Sequence, residues 1–174
     1  ITHFFDNELA GSMHGIKKGG LTPLGREVIQ RMEDKSMIVN IAHCSRQCVT
    51  EILAIARRPV VSSHGGVQAT CKVNRNLSDE HIRGVAKTGG IIGIGYWDGA
   101  ICDTDPKSVA KAMKHVRDLV GIQHVALGSD YDGATTVRFD AGFSADEIRA
   151  VMGGNAVRVL REGLKPMTKA PPAA

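Results

Sequence analysis

Two histidines follow two short apolar segments rich in β-branched residues. His43 comes directly after residues 38–42 (IVNIA), and His64 comes directly after residues 60–63 (VVSS). Such segments are typical of buried strands in a parallel sheet. Adjacent strands lie about 4.8 Å apart, and imidazole nitrogens bind Zn²⁺ at about 2.0–2.1 Å, so histidines that end consecutive strands can reach one metal ion. The pattern therefore predicts a metal site.

An acidic residue occupies the same kind of position further along the chain. Asp130 follows a strand predicted at residues 124–128. In β/α folds the loops at the carboxyl ends of parallel strands converge, and function collects there. A single histidine at a strand end more often caps it by hydrogen bonding, but two histidines and an acid at matched positions favour a metal-dependent site.

The rest of the sequence alternates strand and helix patterns. Strands are expected at residues 37–42, 59–63, 90–95 and 124–128, with residues 1–2 as the stub of a fifth. Helices are expected at residues 22–35, from 45, from 78, from 105 and from 144 to about 163, the last broken at Gly153 and Gly154. Leu24, Val28, Ile29 and Met32 are expected to form the buried face of the first helix.

This alternation predicts an α/β fold of parallel strands joined by crossover helices. Four clear strands fall short of the eight that close a (β/α)8 barrel of about 250 residues. The expected architecture is a partial (β/α)8 TIM-like barrel over residues 1–165, followed by a disordered Pro/Ala-rich tail at residues 166–174.

Composition argues against two classes of partner. The net charge is +4, but the basic residues are scattered and not interleaved with stacking aromatics, which argues against nucleic-acid binding. No apolar run approaches the roughly 20 residues that span a bilayer, so no transmembrane segment is expected.

The four cysteines and four further histidines match no functional motif. Cys44, Cys48, Cys71 and Cys102 lack CxxC spacing, and we expect them to be small buried hydrophobes. Four other histidines match no motif and are expected to be solvated or to lie on helix faces: His14, His81, His115 and His124.

Several segments in order resemble the membrane (renal) dipeptidase family, peptidase family M19, in its bacterial type. They are GLTPLG at residues 20–25, IVNIAHCS at 38–45, RPVVSSH at 58–64, CKVNRNL at 71–77, GSDYDG at 128–133, and Asn155. The resemblance runs from Thr2 to about Leu164, and the chain looks like the C-terminal part of such a protein.

The resemblance implies a (β/α)8 metallohydrolase with two zinc ions that cleaves dipeptides. By their places in these motifs, His43 and His64 would be metal ligands and Arg75 would receive the substrate carboxylate. His3 would contact the substrate and stabilise the tetrahedral intermediate. Asp130 would act as a proton shuttle near the bridging water, and Tyr96 would line the substrate pocket.

The sequence departs from the family pattern in two places. The family's first His-x-Asp pair and its metal-bridging Glu would lie upstream of the residues present, so His43 and His64 are half of a site. Residues 139–144 lack a longer insert that the family commonly has there.

Two other functions stay open at this point. One is a different metallohydrolase of the same barrel class, such as an amidase or lactonase. The other is an inactive fragment or homologue that serves as a structural or interaction subunit. Because an unfinished sheet exposes an edge, we expect self-association or association with the missing N-terminal half.

Overall fold

The sheet has four parallel strands in the order in which they occur along the chain. In the computed structural model, which describes residues 1–103, 105–130 and 144–165, the order is β1-β2-β3-β4 and every neighbouring pair is parallel. The strands are β1 (Val39–Asn40), β2 (Val60–Gly65), β3 (Ile91–Ile94) and β4 (Val125–Leu127). This arrangement confirms the α/β fold with a partial barrel. Residues 1–2 form no strand, so the expected fifth strand was wrong.

Helices connect the strands and follow the last one. They are α1 (Pro23–Asp34), α2 (Arg46–Ile55), α3 (Asp79–Lys87), α4 (Asp98–Ile101), α5 (Pro106–Val120), α6 (Ala145–Arg149) and α7 (Asn155–Gly163). A 3-10 turn at Ile122–His124 precedes β4, and a π turn at Ala150–Gly154 joins α6 to α7. The predicted break is confirmed, since Gly153 in that turn has φ 146°.

Side-chain caps begin the predicted helices. The side chains of Thr22, Ser45, Ser78 and Asp105 each accept a backbone N–H from the first turn that follows. Ser144 forms a capping box with Glu147. These contacts satisfy N–H groups that have no partner inside the helix, which is why the helix starts were readable in the sequence.

The core lies between the sheet and the covering helices, where Ile52, Ile82 and Met113 are fully buried. The predicted face of α1 was partly wrong. Leu24 is 47% exposed, and α1 instead buries Gly25, Ile29 and Glu33. The buried Glu33 carboxylate is tolerated because it accepts the backbone N–H groups of Arg57 and Arg58 and the Nε–H of Arg57.

Strands β2, β3 and β4 pack closely because glycines stand where they approach. A Cβ at Gly93 would lie 2.3 Å from the Ser63 carbonyl oxygen, and one at Gly128 would lie 2.2 Å from the same atom. Strand β2 extends further than predicted, to Gly65, with an irregular register between Ser62 and Gly65.

Cysteine pairing corrects the sequence expectation. Cys71 and Cys102 form a disulfide across 31 residues, with their Cα atoms 5.3 Å apart. Their separation gives no local signal, because the pairing of β2 with β3 brings the two loops together. Cys44 and Cys48 are buried and free, as expected.

Two of the four histidines without a motif are buried rather than solvated, although His81 lies on α3, in keeping with the helix-face alternative. His81 and His124 are each only 8% exposed. The His124 Nδ1 atom lies 2.7 Å from the Gly90 carbonyl oxygen, and the His81 Nε2 atom lies 2.9 Å from Thr50 Oγ1. These hydrogen bonds make burial possible.

Within the described ranges, no helix is both long and apolar enough to cross a membrane. The predicted tail lies outside the described residues, as does most of the segment expected to lack an insert.

Candidate metal and substrate site

His43 and His64 meet at the carboxyl ends of β1 and β2. Their Nε2 atoms are 2.9 Å apart and their ring centroids are 4.9 Å apart. His43 is 5% exposed and has a left-handed backbone, with φ 65°. For a non-glycine residue this conformation costs free energy, and such residues cluster at functional sites.

Asn40 and Ser63 support the His64 ring from the two strands. Ser63 Oγ lies 2.8 Å from His64 Nδ1 and receives a hydrogen bond of 2.8 Å from Asn40 Nδ2. The Asn40 side-chain oxygen accepts the backbone N–H groups of Ser63 and Ala42. The first of these bonds links β1 to β2 directly beneath the two histidines. Sequence reasoning missed both supporting residues, although Ser63 immediately precedes His64.

Both imidazoles favour the neutral form. Burial lowers the pKa of His43 to about 4, and the positive charge of Arg75 adds to this effect. Burial also lowers the pKa of His64, while the nearby Asp130 carboxylate opposes the shift. The neutral imidazole is the form that binds a metal ion.

The histidine pair fits two ligands of a zinc ion. Tetrahedral geometry with Zn–N bonds of about 2.0–2.1 Å puts two ligand nitrogens about 3.3 Å apart, so the observed pair would open by a few tenths of an ångström. Among the residues that the structure describes, no group of three or more His, Cys, Asp or Glu side chains could hold a metal ion. The described residues therefore offer two candidate ligands and not a full set.

Further aromatic side chains surround His43. The ring centroids of His3, Phe4 and His14 lie 4.6, 5.5 and 5.7 Å from that of His43. His14 is exposed, as expected, but its place beside the site was not foreseen. Burial and the charge of Arg75 lower its pKa.

Arg75 brings a positive charge to the same rim. Its guanidinium carbon lies 4.7 Å from the centroid of the Trp97 ring, and that ring is 6.0 Å from the His64 ring. The Arg75 Nε and Nη2 atoms are buried and have no hydrogen-bond partner within the described part of the chain. Burial lowers the pKa of Arg75, and Asp130 opposes this shift. An arginine in this state can receive an anion in a bidentate manner.

Asp130 lies at the open side of the site. Its Oδ2 atom is 3.9 Å from His64 Nε2, and its side chain is 58% exposed. Like His43 it has a left-handed backbone, with φ 53°. The remainder of its motif, residues 131–133, lies outside the described residues.

The structure thus brings His3, His43, His64, Arg75 and Asp130 together. It places Tyr96 in the hydrophobic core, 9% exposed. The pocket-lining role of Tyr96 stays a prediction, and it is the neighbouring Trp97 that contacts Arg75 and His64.

Comparisons with known proteins agree on one family. The family model for membrane dipeptidases (peptidase family M19) matches residues 1–170. Dipeptidase aclJ of Aspergillus oryzae is 31% identical over 92% of this chain, and the match covers 43% of that protein. The chain thus spans less than half the length of this relative.

Solved structures share the fold. The probable dipeptidase PvdM from Pseudomonas aeruginosa superposes with a TM-score of 0.87 at 20% identity, over 96% of this chain and 62% of that one. A metallo peptidase from Rhodobacter sphaeroides, liganded with a phosphinate mimic of the dipeptide L-Ala-D-Ala, superposes with a TM-score of 0.77 at 20% identity, over 88% of this chain and 49% of that one. With its motifs, its fold and its match along residues 1–170 in agreement, the chain belongs to the membrane dipeptidase family, peptidase family M19.

Proposed function

We propose that this chain contributes half of the active site of a zinc-dependent dipeptidase. The observation that carries the proposal is the position of Arg75. Its guanidinium Nε and Nη2 atoms, which have no hydrogen-bond partner among the described residues, lie near the paired imidazoles of His43 and His64. A metal-dependent peptidase that acts on dipeptides needs, a short distance from its metal site, a receptor for a free carboxylate.

His43 and His64 would hold the zinc, and the other ligands would come from residues outside the described ranges or from a longer form of the protein. Zinc, when bound, supplies Lewis-acid polarisation of the scissile carbonyl and a nucleophile at neutral pH. Zinc is the metal that suits two neutral imidazoles. The relative from Rhodobacter sphaeroides, with its bound phosphinate mimic of a dipeptide, supports the choice of substrate class.

The chain's own residues would orient the substrate and move protons. Arg75 would hold the C-terminal carboxylate, which selects dipeptides because a longer peptide has no free carboxylate at that distance from the scissile bond. His3 would donate to the developing oxyanion. Asp130, 3.9 Å from His64, would accept and return the proton. Tyr96, which precedes Trp97, would line the substrate pocket.

Comparing a dipeptide with its C-terminal amide tests the role of Arg75. In the full-length, zinc-loaded protein we expect kcat/KM to favour the dipeptide. Arg75→Ala should remove about 1.5–3 kcal/mol of that preference, or roughly ten- to a hundredfold. Arg149→Ala, on the exposed ion pair with Asp146, is the control and should change nothing. An equal loss of kcat/KM on the dipeptide and on its amide would contradict the role of Arg75 as the carboxylate receptor. A preference of the wild type for neutral esters or lactones would instead favour the other class of metallohydrolase.

A second candidate is a structural or interaction subunit. It is favoured by the incomplete ligand set of the described residues. Metal analysis of the 174-residue chain and of the full-length protein separates the two candidate functions. Tight, stoichiometric zinc contradicts the subunit role, whereas the absence of zinc from the full-length protein contradicts the dipeptidase.

A further inference from the structure

Trp97 lies between two residues of the site. Its ring faces the Arg75 guanidinium at 4.7 Å and the His64 ring at 6.0 Å. A cation is attracted to the face of an indole ring, and the attraction grows when water is excluded. A contact through the face of the guanidinium leaves the N–H groups at its edge for other partners, and Nε and Nη2 of Arg75 have no partner among the described residues. Trp97 therefore stabilises the Arg75 charge without consuming the donors that a carboxylate needs.

The backbone fixes the Trp97 ring. Trp97 caps the N-terminus of α4, where its carbonyl accepts the backbone N–H groups of Ala100 and Ile101 at 2.9 and 3.2 Å. The ring also requires Gly95, because a Cβ there would lie 2.1 Å from the indole. These contacts hold the backbone of Trp97 just after β3 and place its ring against Gly95.

The loop that carries Arg75 is tied to the same helix. This Arg75 loop (residues 71–76) is joined to the residue after α4 by the Cys71–Cys102 disulfide. Asn76, which is 2% exposed, donates through Nδ2 to the carbonyl oxygens of Cys71 and Ala100 at 2.8 and 2.7 Å. Both members of the stacked pair are therefore held on one cross-linked unit.

We propose that Trp97 is a positioning residue that fixes Arg75 so that the guanidinium edge is presented to a carboxylate. The inference rests on the proposed function, since it takes the substrate to carry a free carboxylate. It extends that function by assigning the substrate's affinity, rather than its turnover, to the Trp97–Arg75 pair. Because the Trp97 ring acts on the substrate through Arg75, loss of the ring should weaken the binding only of ligands that Arg75 binds.

The kinetic test uses Trp97→Leu and Trp97→Phe in the full-length, zinc-loaded protein. Trp97→Leu should raise KM for a dipeptide about five- to thirtyfold, with kcat and the KM for the C-terminal amide unchanged. Trp97→Phe should restore most of the affinity, because it keeps a π face. Phe5→Leu, an exposed aromatic without contact to Arg75, is the matched control. A fall in kcat alone, equal effects on both substrates, or no rescue by phenylalanine would overturn the proposal.

A binding test separates this inference from the dipeptidase proposal. Trp97 is the single tryptophan of the chain, so its fluorescence reports on the pair without turnover. In the full-length protein, the part of the emission that is lost in Trp97→Phe reports on Trp97. N-acetylglycine should shift that emission, whereas N-acetylglycinamide should not, and Arg75→Ala should abolish the response. A carboxylate-dependent shift without dipeptide hydrolysis would sink the proposed function and keep the Trp97 role. No difference between the two probes would overturn the Trp97 role itself.

Discussion

His43, His64, Arg75 and Asp130 would carry the proposed chemistry, and their residue types already indicated it. Three of them stand at predicted strand ends, where parallel strands bring side chains together. The supporting residues were not predictable in the same way. Whether Asn40 and Ser63 orient a histidine depends on the register between β1 and β2, and whether Trp97 faces Arg75 depends on a loop held by a distant disulfide.

Ser63→Ala tests the support of His64. The change removes the hydroxyl that lies 2.8 Å from His64 Nδ1, and loss of such a partner typically lowers metal affinity about 10–100-fold. We expect that loss in a zinc competition titration with a chromogenic chelator, performed on the full-length protein. Ser108→Ala on α5 is the control. Unchanged zinc affinity in Ser63→Ala would show that the hydroxyl does not orient the ligand.

At the scale of the elements, helix starts were predictable because caps are local. The face of α1 was not, because Glu33 is buried only through Arg57 and Arg58, more than twenty residues away. The length of β2 and the Cys71–Cys102 bond likewise depend on contacts between strands that no local pattern encodes.

His81 should make stability depend on pH where α3 packs near α2. Burial lowers the pKa of His81, with Glu80 opposing and Arg46 adding to the shift. The unfolded chain therefore binds the proton first, near pH 6.5, and the free energy of unfolding should fall as the pH drops below about 6.5 and level off below the folded-state pKa. Urea denaturation of the wild type and of His81→Gln between pH 7.5 and 5, a range chosen around that value, measures the difference. Equal pH slopes in both proteins would contradict the prediction.

Reducing the disulfide should loosen the Arg75 loop. Cys102 is exposed, so a dithiol reductant reaches the bond. We expect reduction to raise KM for a dipeptide, with kcat retained, because the loop is then joined to α4 chiefly by the hydrogen bond from Asn76 to the Ala100 carbonyl oxygen. The comparison is a Cys71→Ser/Cys102→Ser double variant, which should show a raised KM and no further response to reductant. An unchanged KM after reduction of the wild type would show that the loop keeps its position without the disulfide and would contradict this prediction.

At the scale of the whole molecule, the described sheet is open on both sides. β1 and β4 each pair with one neighbour in the described part of the chain. Large apolar side chains are also exposed along the last helix and the turn before it, namely Met152, Val157, Leu160 and Leu164. Open edges and exposed apolar surface both favour association.

We therefore expect the 174-residue chain to self-associate or to depend on further chain for stability. Light scattering coupled to size exclusion should give a mass above 18.6 kDa, and Leu160→Lys should shift it towards the monomer. Ala54→Lys, at an exposed position of α2, is a charge-matched control. A monomer that melts cooperatively would contradict this expectation.

Zinc-dependent hydrolysis of a dipeptide by the full-length protein, with and without His64, tests the central claim most directly. We expect the zinc-loaded wild type to cleave the dipeptide. His64→Ala should lower the rate by more than about a hundredfold, since loss of a group that only supports a ligand already lowers activity by up to about a hundredfold. His115→Ala, which breaks the pair with Asp79 on the outer helices, should keep the rate. A His64→Ala protein that hydrolyses the dipeptide as fast as the wild type would contradict the account.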